Sequence, residues 1–171
     1  QIKMQLIRSI IKIPNKLRRV IMVLIDRDHI TKKIAKRSGK VIVAIGSAQY
    51  SREPTNPFSA QERRKMLAAE LREAGLARKC KLVTLTDVNN DAKWVAHLDA
   101  HLPMYDVCFS NNALVLKLMR RAGKKTARVP FFSKEKFNAT KIRQRMRARK
   151  EWKSRVPKAI AKSLAKMKAE E

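Results

Sequence analysis

Short apolar segments alternate along the chain with amphipathic ones, and polar turns separate them. Residues 41–45 are all apolar and rich in β-branched side chains, which favours a buried strand. The next segment, 59–74, predicts a helix. Ser59 and Glu62 form a capping box at its start, and apolar residues follow at helical spacing. Gly75 supplies the stop.

The same alternation continues beyond residue 75. Strands are predicted at 81–85 and 105–109, and a weaker strand at 128–131. Four helices are predicted as well: one at 94–101, one that follows a cap at Ser110 or Asn111, one that begins at Thr140 and one that begins at Pro157. Strands and helices that alternate with short links predict an α/β fold, an open parallel sheet built of right-handed crossovers. At 171 residues the chain suits one domain, 1–171, with a basic helical segment at 151–171.

Three polar turns follow predicted strands, at 46–51, 87–90 and 110–112. Because the carboxyl ends of parallel strands meet at one edge of a sheet, we expect these turns to lie together and to form a ligand crevice. An ordinary surface loop is the alternative for the first turn taken alone.

The first turn carries a glycine followed by small polar side chains. Gly46 lets a ligand approach the backbone, and Ser47 and Gln49 offer hydrogen-bond donors and acceptors at the strand end. In the second turn, Asp87 and Asn90 are candidates for binding ribose hydroxyls or an amide. The alternative is an Asx turn that starts the following helix.

Trp94 follows the second turn, near the edge where a flat heterocycle could stack on the indole. Stacking of a base on an aromatic side chain contributes about 1–3 kcal/mol. A tryptophan that simply fills the core is the alternative. His97 shares a helical face with Trp94, and a structural role is expected for it.

Thr140 and Arg143 lie one turn apart at the start of a predicted helix. A helix amino terminus and a guanidinium both suit an anionic phosphate, so the pair is a candidate triphosphate clamp. The alternative is a solvated basic face, because further arginines follow at Arg145, Arg147 and Arg149.

The formal net charge is +27, from 41 Lys and Arg residues against 14 Asp and Glu residues. Residues 1–40 hold 12 basic and 2 acidic side chains, and residues 138–171 hold 12 and 3, so the excess lies at the two ends. Such a charge attracts phosphate on a nucleotide, RNA or DNA. A nucleic-acid-binding protein is therefore a second hypothesis, and a merely solvated lysine-rich surface is a third.

Cys80 and Cys108 form no CxxC motif and lie in or beside strand-like segments, so we expect two small buried thiols of a reducing compartment. No apolar stretch reaches the roughly 18 residues of a membrane span, and no signal-peptide pattern is visible. We expect a cytoplasmic protein. The three histidines lack metal-ligand spacing, so no metal bound by them is expected.

Several motifs in register resemble the archaeal-type nicotinamide-nucleotide adenylyltransferases. They are GSAQYS from Gly46, NPFSAQER from Asn56, the stretch 87–97 with Trp94, Phe109 to Val115, and the helix with Thr140 and Arg143. The resemblance covers about residues 32–165. It implies a Rossmann-like nucleotidyltransferase fold with helices on both faces of the sheet, and often a homo-oligomer.

The resemblance also implies a reaction: the adenylyl group of ATP is transferred to nicotinamide mononucleotide (NMN), which gives NAD and pyrophosphate, with Mg²⁺ on the ATP phosphates. Roles for individual residues follow by position. Trp94 would stack on the nicotinamide, and Arg143 would be the catalytic cation. The other implied contacts are Thr140, Gly46 and Ser47 to ATP and its phosphates, and Gln49, Asp87, Asn90 and Asn111 to NMN or NAD.

The first 31 residues depart from this family. Its first strand leads into Gly-Arg-Phe-Gln-Pro and then His-x-Gly-His, whereas this chain reads RRVIMVLIDRDH from Arg18 to His29. Residues 19–25 still suit the first strand and 30–36 the first helix. Three explanations are open: a shifted reading frame or mis-assembled sequence, divergence to a homologue that binds nucleotides without turnover, or replacement of the lost cations by Arg27, His29, Lys32 and Lys33.

Overall fold

A computed structural model describes residues 20–25, 39–128 and 138–169. Five strands form one sheet: β1 (Val20–Ile25), β2 (Lys40–Ile45), β3 (Cys80–Thr84), β4 (Val107–Phe109) and β5 (Thr126–Ala127). The predicted strand at 19–25 is confirmed. The predicted first helix, 30–36, lies outside the described residues.

All neighbouring strands in the sheet are parallel, in the order β3-β2-β1-β4-β5. In the register, Val43 pairs with Val23 on one side and with Leu82 on the other. The chain adds β2 and β3 outward on one side of β1, then returns to place β4 on the other side. This doubly wound order is that of Rossmann-like folds, and it opens a crevice at the carboxyl ends of β1 and β4.

The described residues form five α-helices, which connect or follow the strands: α1 (Ala60–Glu73), α2 (Asp91–His101), α3 (Ala113–Arg121), α4 (Ala139–Arg147) and α5 (Lys158–Ala169). Short 3₁₀ turns lie at Ala77–Lys79 and Lys153–Arg155. Among the described residues, no helix is both long enough and apolar enough to cross a membrane.

Alternate residues of β2 enter two different cores, as the period of two in a strand requires. Val41 and Val43 pack on the α1 side with Leu71, Leu76 and Phe109. Ile42 and Ala44 pack on the opposite face, in a cluster with Met22, Leu85, Leu98, Leu102, Cys108, Val115 and Met119. Helices therefore cover both faces of the sheet, and this explains why residues 41–45 read as a continuous apolar run.

The capping box at the start of α1 is present as predicted. The Ser59 hydroxyl accepts from the Glu62 amide at 3.2 Å, and the Glu62 carboxylate accepts from the Ser59 amide at 2.6 Å. Gly75 ends this helix with φ +68°, and Gly123 follows α3 with φ +71°. Both glycines occupy the left-handed region expected just after a helix.

Some predicted boundaries were wrong. The cap of α3 is Asn112, whose side chain accepts from the amides of Leu114 and Val115, not Ser110 or Asn111. Strand β5 lies at Thr126–Ala127, where it pairs with Cys108 and Phe109, and residues 129–131 of the predicted strand 128–131 lie outside the described residues. Helix α2 begins at Asp91 rather than at Trp94, since Asn90 caps it.

Two methionines provide a matched test of core packing. Met119 is completely buried, whereas Met104 is 93% exposed. We expect Met119→Ala to lower the free energy of unfolding by about 2–5 kcal/mol, because truncation leaves a cavity between α3 and the sheet. Met104→Ala should change it by less than about 0.5 kcal/mol. Urea denaturation of both variants measures the difference, and equal losses would contradict this packing.

Candidate functional site

Two of the three predicted polar turns are joined directly. The Ser47 hydroxyl donates to Asp87 Oδ2 at 2.6 Å, across the gap between the ends of β2 and β3. Gln49 adds a reciprocal pair with the backbone of Asp87: its Nε2 donates to the carbonyl and its Oε1 accepts from the amide, both at 3.0 Å. These contacts hold the two loops in one arrangement at the carboxyl edge of the sheet.

A cavity of about 520 Å³ opens at this edge. All three predicted turns contribute to it, through Gly46 and Ser47, through Asp87, Asn89 and Asn90, and through Asn112. Helices α1 to α5 and residues 55–58 and 155–157 also line it. The prediction that the three turns meet on one edge is confirmed.

Six of the nine candidate residues line this cavity: Gly46, Ser47, Asp87, Asn90, Trp94 and Arg143. The other three, Gln49, Asn111 and Thr140, are not among its lining residues. Gln49 is committed to the Asp87 backbone, as described above. Thr140 is exposed, and its hydroxyl accepts from Arg143 Nη2 at 3.3 Å, so it contacts the arginine beside the cavity.

Trp94 and Arg143 line the same cavity, although they come from α2 and α4. Trp94 is half-buried and packs against the core cluster on the α2 side of the sheet. Among the described residues, a Cβ added at Gly46 would meet only Asp87 Oδ1, at 4.0 Å. The described part of the chain therefore leaves the space in front of this glycine open.

Asn90 has a structural role that the sequence left open. Its side chain accepts from the Lys93 amide at 3.1 Å and so caps α2, while the residue also lines the cavity. Its neighbour Asn89 has φ +47°, a left-handed conformation that asparagine tolerates. The Asx interpretation is therefore confirmed, and it places the turn at the cavity wall.

The cavity is also lined by charged side chains that the sequence analysis did not single out. They are Arg63, Glu70, Asp91 and Arg155. In the sequence, Arg63 appears only as the last residue of the NPFSAQER motif, and Arg155 ends a short turn that no periodicity marks. Glu70 is almost fully buried on α1. The predicted helix 59–74 contains Arg63 and Glu70, but its pattern does not show that they face the crevice.

His97 also lines the cavity, and its Nε2 atom is buried without a hydrogen-bond partner among the described residues. Its ring lies 4.3 Å from that of His101, centroid to centroid, and His101 Nδ1 bonds to the His97 carbonyl at 2.8 Å. In the part of the chain described, no group of three or more His, Cys, Asp or Glu residues could hold a metal ion.

Residues 55–58 line the cavity and belong to a loop, 52–58, that is bound to Glu62. Arg52 donates to both Glu62 oxygens, at 2.8 and 3.0 Å, and to the Pro57 carbonyl at 3.2 Å. The slight burial of Glu62 raises its pKa. The hydrogen bonds from Arg52 and the Ser59 amide lower the pKa of Glu62 and prevail, so its net shift is downward.

This shift predicts a pH dependence. A carboxyl whose pKa is lower in the folded state stabilises the fold above its unfolded pKa, near 4.5, and loses that contribution as the pH falls through the lower folded value. Glu62→Gln should therefore reduce stability at pH 7 and flatten the decline below pH 4.5. Thermal unfolding of wild type and variant between pH 3 and 7 measures this. Parallel curves would contradict the assignment.

The cytidylyltransferase-like family model matches residues 29–145. The chain is 40% identical over 129 residues to a nicotinamide-nucleotide adenylyltransferase from Methanolobus tindarius, across 75% of this chain and 73% of the relative. It is 39% identical over 132 residues to one from Pyrococcus abyssi (strain GE5 / Orsay), across 77% and 71%. A third, from Methanothrix thermoacetophila, is 37% identical over 142 residues, across 83% and 82%.

Solved structures agree with this fold. A bifunctional NMN adenylyltransferase/ADP ribose pyrophosphatase from Francisella tularensis matches with a TM-score of 0.66 at 21% identity. The match covers 81% of this chain and 44% of that protein, so this chain spans less than half its length. The same protein complexed with AMP and a Mn ion gives a TM-score of 0.65 at 20% identity.

Proposed function

Because this chain belongs to the nicotinamide-nucleotide adenylyltransferase family, we propose that it is a nucleotidyltransferase of NAD biosynthesis, which transfers the adenylyl group of ATP to NMN. The observation that carries the proposal is the cavity shared by Trp94 and Arg143 at the carboxyl edge of a parallel sheet. A flat aromatic surface and a cation in one cavity suit a ligand with a heterocycle and phosphates.

In the reaction, an NMN phosphate oxygen attacks the α-phosphorus of ATP. A new P–O bond forms there, the bond from the α-phosphorus to the bridging oxygen breaks, and pyrophosphate leaves. Such a transfer depends on positioning and on stabilising negative charge. Arg143 is the proposed catalytic residue, holding phosphate oxygens by hydrogen bonds from its guanidinium. Thr140 accepts a bond from Arg143 and would help orient it.

The other candidate contacts follow from the cavity wall. Gly46 and Ser47 would face the ATP phosphates, and Asp87, Asn90 and Trp94 would bind NMN or NAD, with the indole stacked on the nicotinamide. Gln49 holds the Asp87 loop by two hydrogen bonds, so its effect on NMN would come through that loop. Asn111 lies within the third turn and stays a predicted contact.

Mg²⁺ would enter as a complex with ATP. The described residues offer no cluster of three or more metal-ligating side chains, and Mg²⁺ in nucleotide sites is held largely by substrate phosphates and water. The ion would neutralise charge on the leaving pyrophosphate. This fits a cavity whose own cations are arginines.

We also infer that residues 1–171 form one domain, because α5, within the basic segment 151–171, packs on α1 and contributes Ile160 and Leu164 to the cavity.

A cytoplasmic location is supported by two free thiols at Cys80 and Cys108. Assembly as a homo-oligomer stays a prediction from the family resemblance, to be checked by light scattering.

The function is tested by incubating the purified chain with NMN and MgATP and separating the products by chromatography. We expect NAD and pyrophosphate in equal amounts. If the chain binds both substrates but forms no NAD at high enzyme concentration, the proposal is wrong and the chain is a nucleotide-binding homologue without turnover.

The role of Arg143 has a matched control on its own helix. We expect Arg143→Met to lower kcat/KM by about 10²–10³-fold, as loss of a donor to transition-state charge does elsewhere. Arg143→Lys should recover only part of the lost kcat/KM, because lysine keeps the positive charge but cannot form the bidentate contact of a guanidinium. Arg147→Met removes the same charge from an exposed position one turn away and should leave kcat/KM within twofold. Equal losses at both positions would indicate a general charge effect.

A second candidate function, binding of RNA or DNA, is favoured by the net charge of +27 and by exposed Lys158, Lys162 and Lys166 along α5. Binding that weakens steeply between 50 and 200 mM salt would support it. No binding of an oligonucleotide at low salt would exclude it.

A further inference from the structure

Arg63 lies in the first turn of α1 and forms hydrogen bonds to the loop that follows β2. Its Nη1 donates to the Gly46 carbonyl at 2.8 Å, and its Nη2 donates to the Ser47 carbonyl at 2.9 Å. The side chain is half-buried and lines the cavity. One guanidinium therefore binds two consecutive backbone carbonyls of the first polar turn.

Two adjacent carbonyls point to the same side only when the residue between them leaves the extended conformation, in which successive carbonyls alternate. Ser47 does so, with φ +53°. This left-handed region is uncommon for residues other than glycine. The backbone of Ser47 is thus held in an unfavourable conformation by the hydrogen bonds from Arg63, a kind of strain that clusters at functional sites.

This conformation also sets the direction of the Ser47 amide. A trans peptide places its carbonyl and its N–H on opposite sides, and the structure describes no cis peptide. Because the Gly46 carbonyl faces Arg63, the Ser47 N–H faces away from Arg63. Among the described residues, no acceptor receives it. The Ser47 hydroxyl is already bound to Asp87, so the amide is the remaining donor of this residue.

We propose that Arg63 is a positioning residue for adenylyl transfer, which holds the Ser47 N–H as a donor to a phosphate oxygen of a bound nucleotide. The inference rests on the proposed function. An anion fits better than a neutral group, because the guanidinium stands directly behind the two carbonyls and Arg143 lines the same cavity.

Burial supports this charge assignment. Burial lowers the pKa of Arg63, although the neighbouring Asp87 carboxylate raises it, and a guanidinium still stays protonated. Its Nε atom is buried and has no hydrogen-bond partner in the part of the chain described. A positive charge that the fold only partly compensates strengthens attraction of phosphate to the loop in front of it.

The test uses Arg63→Met and Arg63→Lys, with Arg64→Met and Arg64→Lys as controls. Arg64 is the next residue of the same helix and is exposed. For Arg63→Met we expect the KM for one substrate to rise about 10- to 100-fold, the effect of one charge-assisted hydrogen bond. A rise for ATP alone assigns the phosphate to ATP, and a rise for NMN alone assigns it to NMN. Arg63→Lys should give a KM between those of the wild type and Arg63→Met. Both Arg64 variants should have KM values within twofold of the wild type.

A readout independent of turnover separates this inference from the proposed function. In a ¹⁵N–¹H spectrum, MgATP or NMN should shift the Ser47 amide of the wild type, and Arg63→Met should reduce that shift. Arg63→Lys serves if Arg63→Met does not fold. A wild type that forms no NAD but shows this shift refutes only the function. The inference would be overturned if the ligands left the Ser47 amide of the wild type unshifted. It would also be overturned if Arg63→Met lowered thermal stability but left both KM values unchanged, because Arg63 would then have a structural role only.

Discussion

The hydrogen bond from Ser47 to Asp87 joins the ends of two neighbouring parallel strands, and the shape of the cavity depends on this junction. Parallel strands diverge into separate loops where their ladder ends, so something must hold those loops together. Here Gln49 adds two bonds to the Asp87 backbone, and the Ala48 amide donates to the Leu85 carbonyl at 2.9 Å. The wall that faces a nucleotide is consequently fixed before any ligand arrives, as catalysis by positioning requires.

The sequence predicted most of the fold, because its signals are local. The apolar run 41–45, the capping box of α1 and the glycines after α1 and α3 each act within a few residues. The error at the cap of α3 arose because Ser110, Asn111 and Asn112 are all good capping residues, and only the end of β4 decides among them. The short strand β5 could not be located, since two residues carry no periodicity.

Predicting the site was harder, because side-chain direction depends on contacts between distant segments. That Trp94 and Arg143 share a cavity followed from the edge rule for parallel sheets and from the family resemblance. The sequence alone does not distinguish Arg63 from its neighbour Arg64. In the structure Arg63 binds two backbone carbonyls, whereas Arg64 is exposed. The difference is a rotation of about 100° around a helix, which only the packed structure fixes.

The last helix, α5, begins at Lys158 and supplies Ile160 and Leu164 to a cavity whose first loop is formed more than a hundred residues earlier. The five strands of the described residues are complete by Ala127. During synthesis on the ribosome, the sheet can therefore assemble while one wall of the crevice is still inside the exit tunnel. A nascent or proteolytically shortened chain lacking this helix would uncover the side of α1 on which α5 packs.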